Sequence, residues 1–194
     1  MWWLAVPVAV GAAVAVWKHF DGEAKEARER WHRDRKSVER TLKEHRRNLD
    51  VHLADAQDSV DFQFLVDLHF SSHRVGDAAY QLLRDARVSR RAMEAMLAEI
   101  RVKGREIDRS LQERQSAANR ASLEAERSSL IAMYDAIALD LETVAQQAGG
   151  LLGEVTAMNA QTRELKLAIR DRCGRRGRDW FARLEERTAT RRQK

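Results

Sequence analysis

The chain has 194 residues, 34% of them charged and 6% aromatic, with a single proline, Pro7, and a formal net charge of +5. Such a composition is too poor in aromatic and branched apolar side chains for a compact core of the usual kind, and it fits long helices packed side by side. The lone Cys173 excludes an intramolecular disulfide, so the fold needs no oxidising compartment; its arginine neighbours are expected to lower the thiol pKa.

The first element, Trp2 to Trp17, reads WWLAVPVAVGAAVAVW and carries no charged side chain. As a helix it spans about 24 Å, a little short of a hydrocarbon core of about 30 Å. Trp2, Trp3 and Trp17 stand at its ends, where tryptophan favours the headgroup level. A cleaved signal peptide wants a basic stretch before the apolar run and a small-residue cleavage site, and nothing basic precedes Lys18. A buried core helix is the other alternative at this length. The favoured reading is a retained transmembrane anchor over residues 1–20. Lys18, Lys25, Arg28, Arg30 and Arg33 follow it, so the positive-inside rule predicts an inner-membrane, single-pass protein with its N-terminus outside and its body in the cytoplasm. Gly11 and Ala15, four apart, let two membrane helices approach closely.

The body, residues 21–172, reads as helix throughout. Val38, Leu42, His45, Leu49, His52 and Ala56 form a first stripe at steps of three and four, predicting a helix that leaves the anchor directly and ends near residue 56. A second stripe runs from Leu65 through Leu82 and Met93 to Ile100, then less cleanly to Ile107 and Leu111. Ser71-Ser72-His73 offers a helix start inside it, because serine caps well, and Gly104 is a weak point. The third stripe is the most regular. Leu130, Tyr134, Ile137, Leu141, Val144, Ala148, Leu151, Val155, Met158, Thr162, Leu165 and Ile169 alternate steps of four and three, the spacing of a coiled-coil seam. Gly149, Gly150 and Gly153 predict either a kink or the close passage of another backbone. Cys173-Gly174-Arg175-Arg176-Gly177 predicts a break. Residues 173–194 then form a basic helix or tail with Trp180, Phe181 and Leu184 on one face.

The fold class is therefore all-α: a transmembrane helix continuing into a long-helix bundle with coiled-coil-like seams. The seams look longer than one chain needs, so a homo-oligomer is expected, with Leu130, Ile137, Leu141, Val144, Leu151, Val155, Leu165 and Ile169 among its contacts. Charge is unevenly placed. Residues 18–47 carry 11 Lys/Arg against 7 Asp/Glu, residues 48–169 carry 14 against 19, and residues 170–194 carry 10 against 4. The basic collar suits anionic lipid. In the tail, Arg172, Arg175, Arg176 and Arg178 are the candidates for binding lipid, nucleic acid or an acidic partner, with Trp180 and Phe181 available to stack on bases.

Candidate chemistry is sparse. His69, His73 and Asp77 follow one another at steps of four and share a helix face, a weak metal-ligand pattern. No phosphate loop, dinucleotide fingerprint, nucleophile elbow or C-x-x-C is present, so nucleotide-driven work and ordinary hydrolase chemistry are not expected. No cofactor and no small-molecule substrate are expected. Arg47-Asn48-Leu49-Asp50-Val51-His52 resembles the R-x4-H motif of HEPN-type ribonucleases, over six residues only. The resemblance implies RNA cleavage at a dimer interface, with Arg47 stabilising charge on phosphate, Asn48 positioning and His52 acting as acid or base. The motif departs from that family in lying early in the chain. An N-terminal anchor, a helical body and an R-x4-H are together similar in outline to membrane-anchored accessory proteins of CRISPR systems. Three functions follow: a self-assembling pore, gate or scaffold on the pattern of a bacterial-defence membrane effector; a membrane-tethered RNase; and a tether holding RNA, DNA or a protein through its basic tail.

Overall fold

The computed structural model describes residues 22–55, 61–114 and 116–192. Among them are four α-helices and no strand: α1 Gly22–Asp55, α2 Phe62–Gln112, α3 Ala117–Arg172 and α4 Gly174–Arg192. The all-α reading holds. The apolar run Trp2–Trp17, with Gly11 and Ala15, lies outside the described residues, and among the described residues no helix is long and apolar enough to cross a membrane.

The helix starts are set by caps that the apolar pattern does not reveal. Asp61 accepts the Gln63 amide on Oδ1 at 3.0 Å, and its carbonyl takes the Leu65 amide at 3.1 Å, which fixes the first turn of α2. Ser116 does the same for α3, with Asn119 N donating to Oγ at 3.3 Å and Arg120 N to the carbonyl at 3.0 Å. The start expected at Ser71-Ser72 does not occur. Both hydroxyls donate instead to the Leu68 carbonyl, at 2.8 and 2.9 Å, and α2 runs through them.

The chain divides into two compact units, each drawing on all three long helices. The first unites α1 up to Arg33 with Arg84–Gly149. On α1 the buried stripe is Ala24, Ala27 and Trp31, and α2 and α3 supply Met93, Leu97, Ile137 and Val144 to the same core. Polar braces fix the order. Arg30 grips the buried Asp85 of α2 through Nε at 3.1 Å and Nη2 at 3.0 Å, a two-pronged match of fork to carboxylate. Arg28 holds Asp140 of α3 through one oxygen only, Nε and Nη2 both donating to Oδ2 at 3.1 and 3.0 Å. Arg127 of α3 reaches Asp108 of α2 at 2.7 Å. Asp85 and Asp140 thus lie at one level, beside Arg30 and Arg28, and Asp108 and Arg127 at another, so α2 and α3 run antiparallel in this unit.

The second unit unites Asp34–Leu83 with Gly150–Lys194. Leu42 and Leu49 of α1, Leu65, Ala79 and Leu82 of α2, and Leu151, Val155, Met158, Leu165 and Ile169 of α3 are all buried. Truncating a leucine in such a setting costs about 2–5 kcal/mol. Gly76 of α2 sits where an added Cβ would meet Met158 Cε at 3.4 Å, so the two helices approach closely there. The basic segment after Cys173 is not a detached tail: α4 folds back on α3, with Lys166 paired to Glu185.

The third stripe is thus core within one chain. Leu130, Ile137, Val144, Leu151, Val155, Leu165 and Ile169 are at most 8% exposed, and Leu141 is half-buried. The cover that the sequence reading assigned to a second copy is supplied by α1 and α2. Gly149, Gly150 and Gly153 do not break α3, and an added Cβ at any of them would meet nothing within 4 Å. They are exposed, and their φ values are ordinary helical ones. Replacing Gly150 with alanine should therefore raise stability by about 0.5–1 kcal/mol, by restricting the unfolded chain. Chemical denaturation read by circular dichroism checks this; a lower midpoint would show that the helix needs a glycine there.

Candidate functional site

The R-x4-H residues lie on the second half of α1. Leu49, between them, is fully buried, which turns Arg47 and Asn48 to solvent. His52 is half-buried, its ring edge-on to Phe64 of α2 with centroids 4.6 Å apart. Positions five apart on a helix face about 140° away from each other, so Arg47 and His52 diverge within one chain. The arginine that works structurally is its neighbour. Arg46 donates from Nη1 to Glu154 at 2.6 Å and from Nε to Gln161 at 3.3 Å, and Gln161 also bonds Asp50. Sequence reading passed over Arg46 because its partners lie more than a hundred residues away. Arg46→Ala should cost about 1–2 kcal/mol through these charge-assisted bonds, and Arg47→Ala should stay within about 0.5 kcal/mol of wild type. Paired melting curves check both; equal losses would contradict the assignment.

The histidine series on α2 splits by depth. His69 is 2% exposed, whereas His73 and Asp77 are exposed. The His69 ring meets His73 edge-on at 4.8 Å and the buried Trp180 of α4 at 5.1 Å. Its Nδ1 is buried without a hydrogen-bond partner. Burial first, then the nearby His73 and Lys166, push its pKa down from 6.5 to about 4. It is a neutral aromatic spacer between α2 and α4. Among the described residues no three His, Cys, Asp or Glu side chains come together to hold a metal ion. One turn on, His45 of α1 lies 2.8 Å from Ser72 Oγ. The serine proton is committed to Leu68, so His45 Nε2–H is the donor. Burial lowers its pKa.

The basic end of the chain is ordered by a tight corner. Gly174 has φ +57°, the left-handed cap that ends α3. Trp180 is buried, and Phe181 and Leu184 are half-buried, as the apolar spacing predicts. Both aromatics are occupied: Trp180 by His69, and Phe181 by Lys166 at 4.8 Å and Arg170 at 5.1 Å from its ring centre. Base stacking on these two rings is therefore not on offer. Of the four predicted anion-binding arginines, Arg172 donates to the Leu53 carbonyl at 3.5 Å and Arg175 pairs with Asp179 at 3.7 Å. Arg176 and Arg178 are exposed. Burial pushes the Cys173 thiol up, the reverse of the shift expected from its arginine neighbours. Comparisons with protein-family models, with curated proteins and with solved structures give no match.

Proposed function

We propose that this chain is a non-catalytic membrane tether. Its apolar N-terminal run anchors it on the cytoplasmic face, and its helical body presents the basic α4 to a partner. The observation that carries this reading is the closure of the Leu130–Ile169 seam within one chain. A body whose main seam is already covered needs no second copy to bury that seam. Separation of membrane and soluble fractions tests the anchor: the full chain goes to the membrane, and deletion of residues 2–17 releases a folded body. A full chain that stays soluble without detergent overturns the reading.

A second reading, the self-assembling pore, gate or scaffold, is favoured by a different observation. Leu139 is 67% exposed, Leu152 49% and Leu167 44%, all on α3. These outward leucines, not the seam, are what a second copy can cover. The mass of the detergent-solubilised particle decides between the two. A monomer supports the tether, and a discrete ring of many chains supports the pore. The RNase reading stands on Arg47 and His52 of two chains meeting; RNA cleavage lost in His52→Ala with assembly intact is its signature.

A further inference from the structure

The corner at Gly174 aims α4 so that Trp180, Phe181 and Leu184 face the bundle. That fixes the face of every other side chain on this helix. Arg176, Arg183 and Arg187 are separated by seven and four positions, so they fall on one line along it. All three are exposed, and no hydrogen bond or ion pair joins any of them to another described residue. Of the other arginines of this region, Arg170 is engaged with Asp171, Arg172 with a carbonyl and Arg175 with Asp179, while the exposed Arg178 points about 200° around the helix from Arg176, off this line. Three guanidinium groups therefore stand free in a row about 16 Å long by helical rise.

We propose that this row is a docking track for the phosphate backbone of double-stranded DNA. A single line of cations matches a narrow, rod-like polyanion that carries one charge per about 1.7 Å of axis. A flat bilayer meets the whole outer face of a helix, and here that face also carries Asp179 and Glu186, both exposed. Helices that bind bilayers insert an apolar side as well, and that side of α4 is committed to the bundle. Single strands are held by stacking on aromatic rings, and Trp180 and Phe181 are covered. What remains is sequence-independent contact with a duplex backbone. Arg183 and Arg187 are new to the site; the cluster of basic residues near Cys173 draws the eye away from them. The inference rests on the tether reading for its place at a membrane, but the binding itself is measured away from one.

The test uses the detergent-solubilised full chain and a short fluorescent DNA duplex, titrated at several salt concentrations. Three phosphate contacts contribute a slope of about −2.7 in log affinity against log salt, or about 40-fold between 50 and 200 mM. The combined variant Arg176→Gln, Arg183→Gln, Arg187→Gln should lose that slope while keeping its helical signal, and Arg175→Gln should keep it. Wild-type affinity and slope in the triple variant overturn the proposal. So does a wild-type chain that does not bind the duplex, or one that prefers a single-stranded oligonucleotide or vesicles containing phosphatidylserine. Fractionation of the unmodified chain reports separately on the tether, so the two readings fail independently.

Discussion

Gly177→Ala should undock α4 from the end of α3 and cost about 3 kcal/mol, the upper range for an added methyl in a packed site. A Cβ at this position would lie far inside the contact distance of the Ile169 carbonyl oxygen and 3.0 Å from Cys173 Cβ. The obstacle is backbone, so no side-chain rotation relieves it. The Gly177 amide also donates to the Cys173 carbonyl at 3.2 Å, and the Cys173 amide to Ile169 at 3.2 Å, which holds the corner on both sides. To admit the methyl group the first turn of α4 must lift away, taking Trp180 from His69. Chemical denaturation followed by tryptophan emission reads this as a lower midpoint and a red shift in the native baseline. Gly174→Ala is the graded control. Its penalty is the left-handed backbone alone, about 1 kcal/mol, and asparagine there should recover part of it. A Gly177→Ala variant as stable as wild type would mean that the corner is not closed as described.

Most of the fold was legible in the sequence because the stripes are physical. Leu42, Leu49, Leu82, Met93 and Ile169 lie at helical spacing and are buried. The break at Cys173–Gly177 was legible for the same kind of reason: one glycine supplies a left-handed residue and another a close approach. The caps at Asp61 and Ser116 were hidden by better-looking serines within α2. Coverage of the third seam was hidden for a deeper reason. Periodicity shows that a face must be covered, but it is silent on whether the same chain or another covers it. The braces that decide this, Arg28 to Asp140 and Arg46 to Glu154, join residues more than a hundred apart, and no local pattern marks them. The candidate chemistry read least well. A motif of Arg47 and His52 fixes two residue types, not the directions in which a helix points them.

Acid should loosen the second unit before it affects the first, and His69 is the reason. Its pKa is about 4 in the fold, against 6.5 for the free side chain. Between those values the unfolded chain binds a proton that the folded chain refuses, so stability is full above about pH 6.5 and falls as pH drops toward 4. A shift of this size corresponds to about 3 kcal/mol over the whole window. Every charged neighbour works in the same direction. His73 on α2 and Lys166 on α3 oppose a proton on His69, and Trp180 on α4 offers only a ring edge. His45, in the same unit, adds a smaller loss of the same sign, because burial lowers its pKa too. His69→Leu separates the contributions. It removes the titrating ring and a buried nitrogen that has no partner, so the variant should be at least as stable as wild type at neutral pH. Its melting temperature should also fall much less between pH 6.5 and 4.5. A wild-type chain whose stability is flat across that window, or a His69→Leu variant with the same acid sensitivity, would show that His69 accepts its proton without leaving the core.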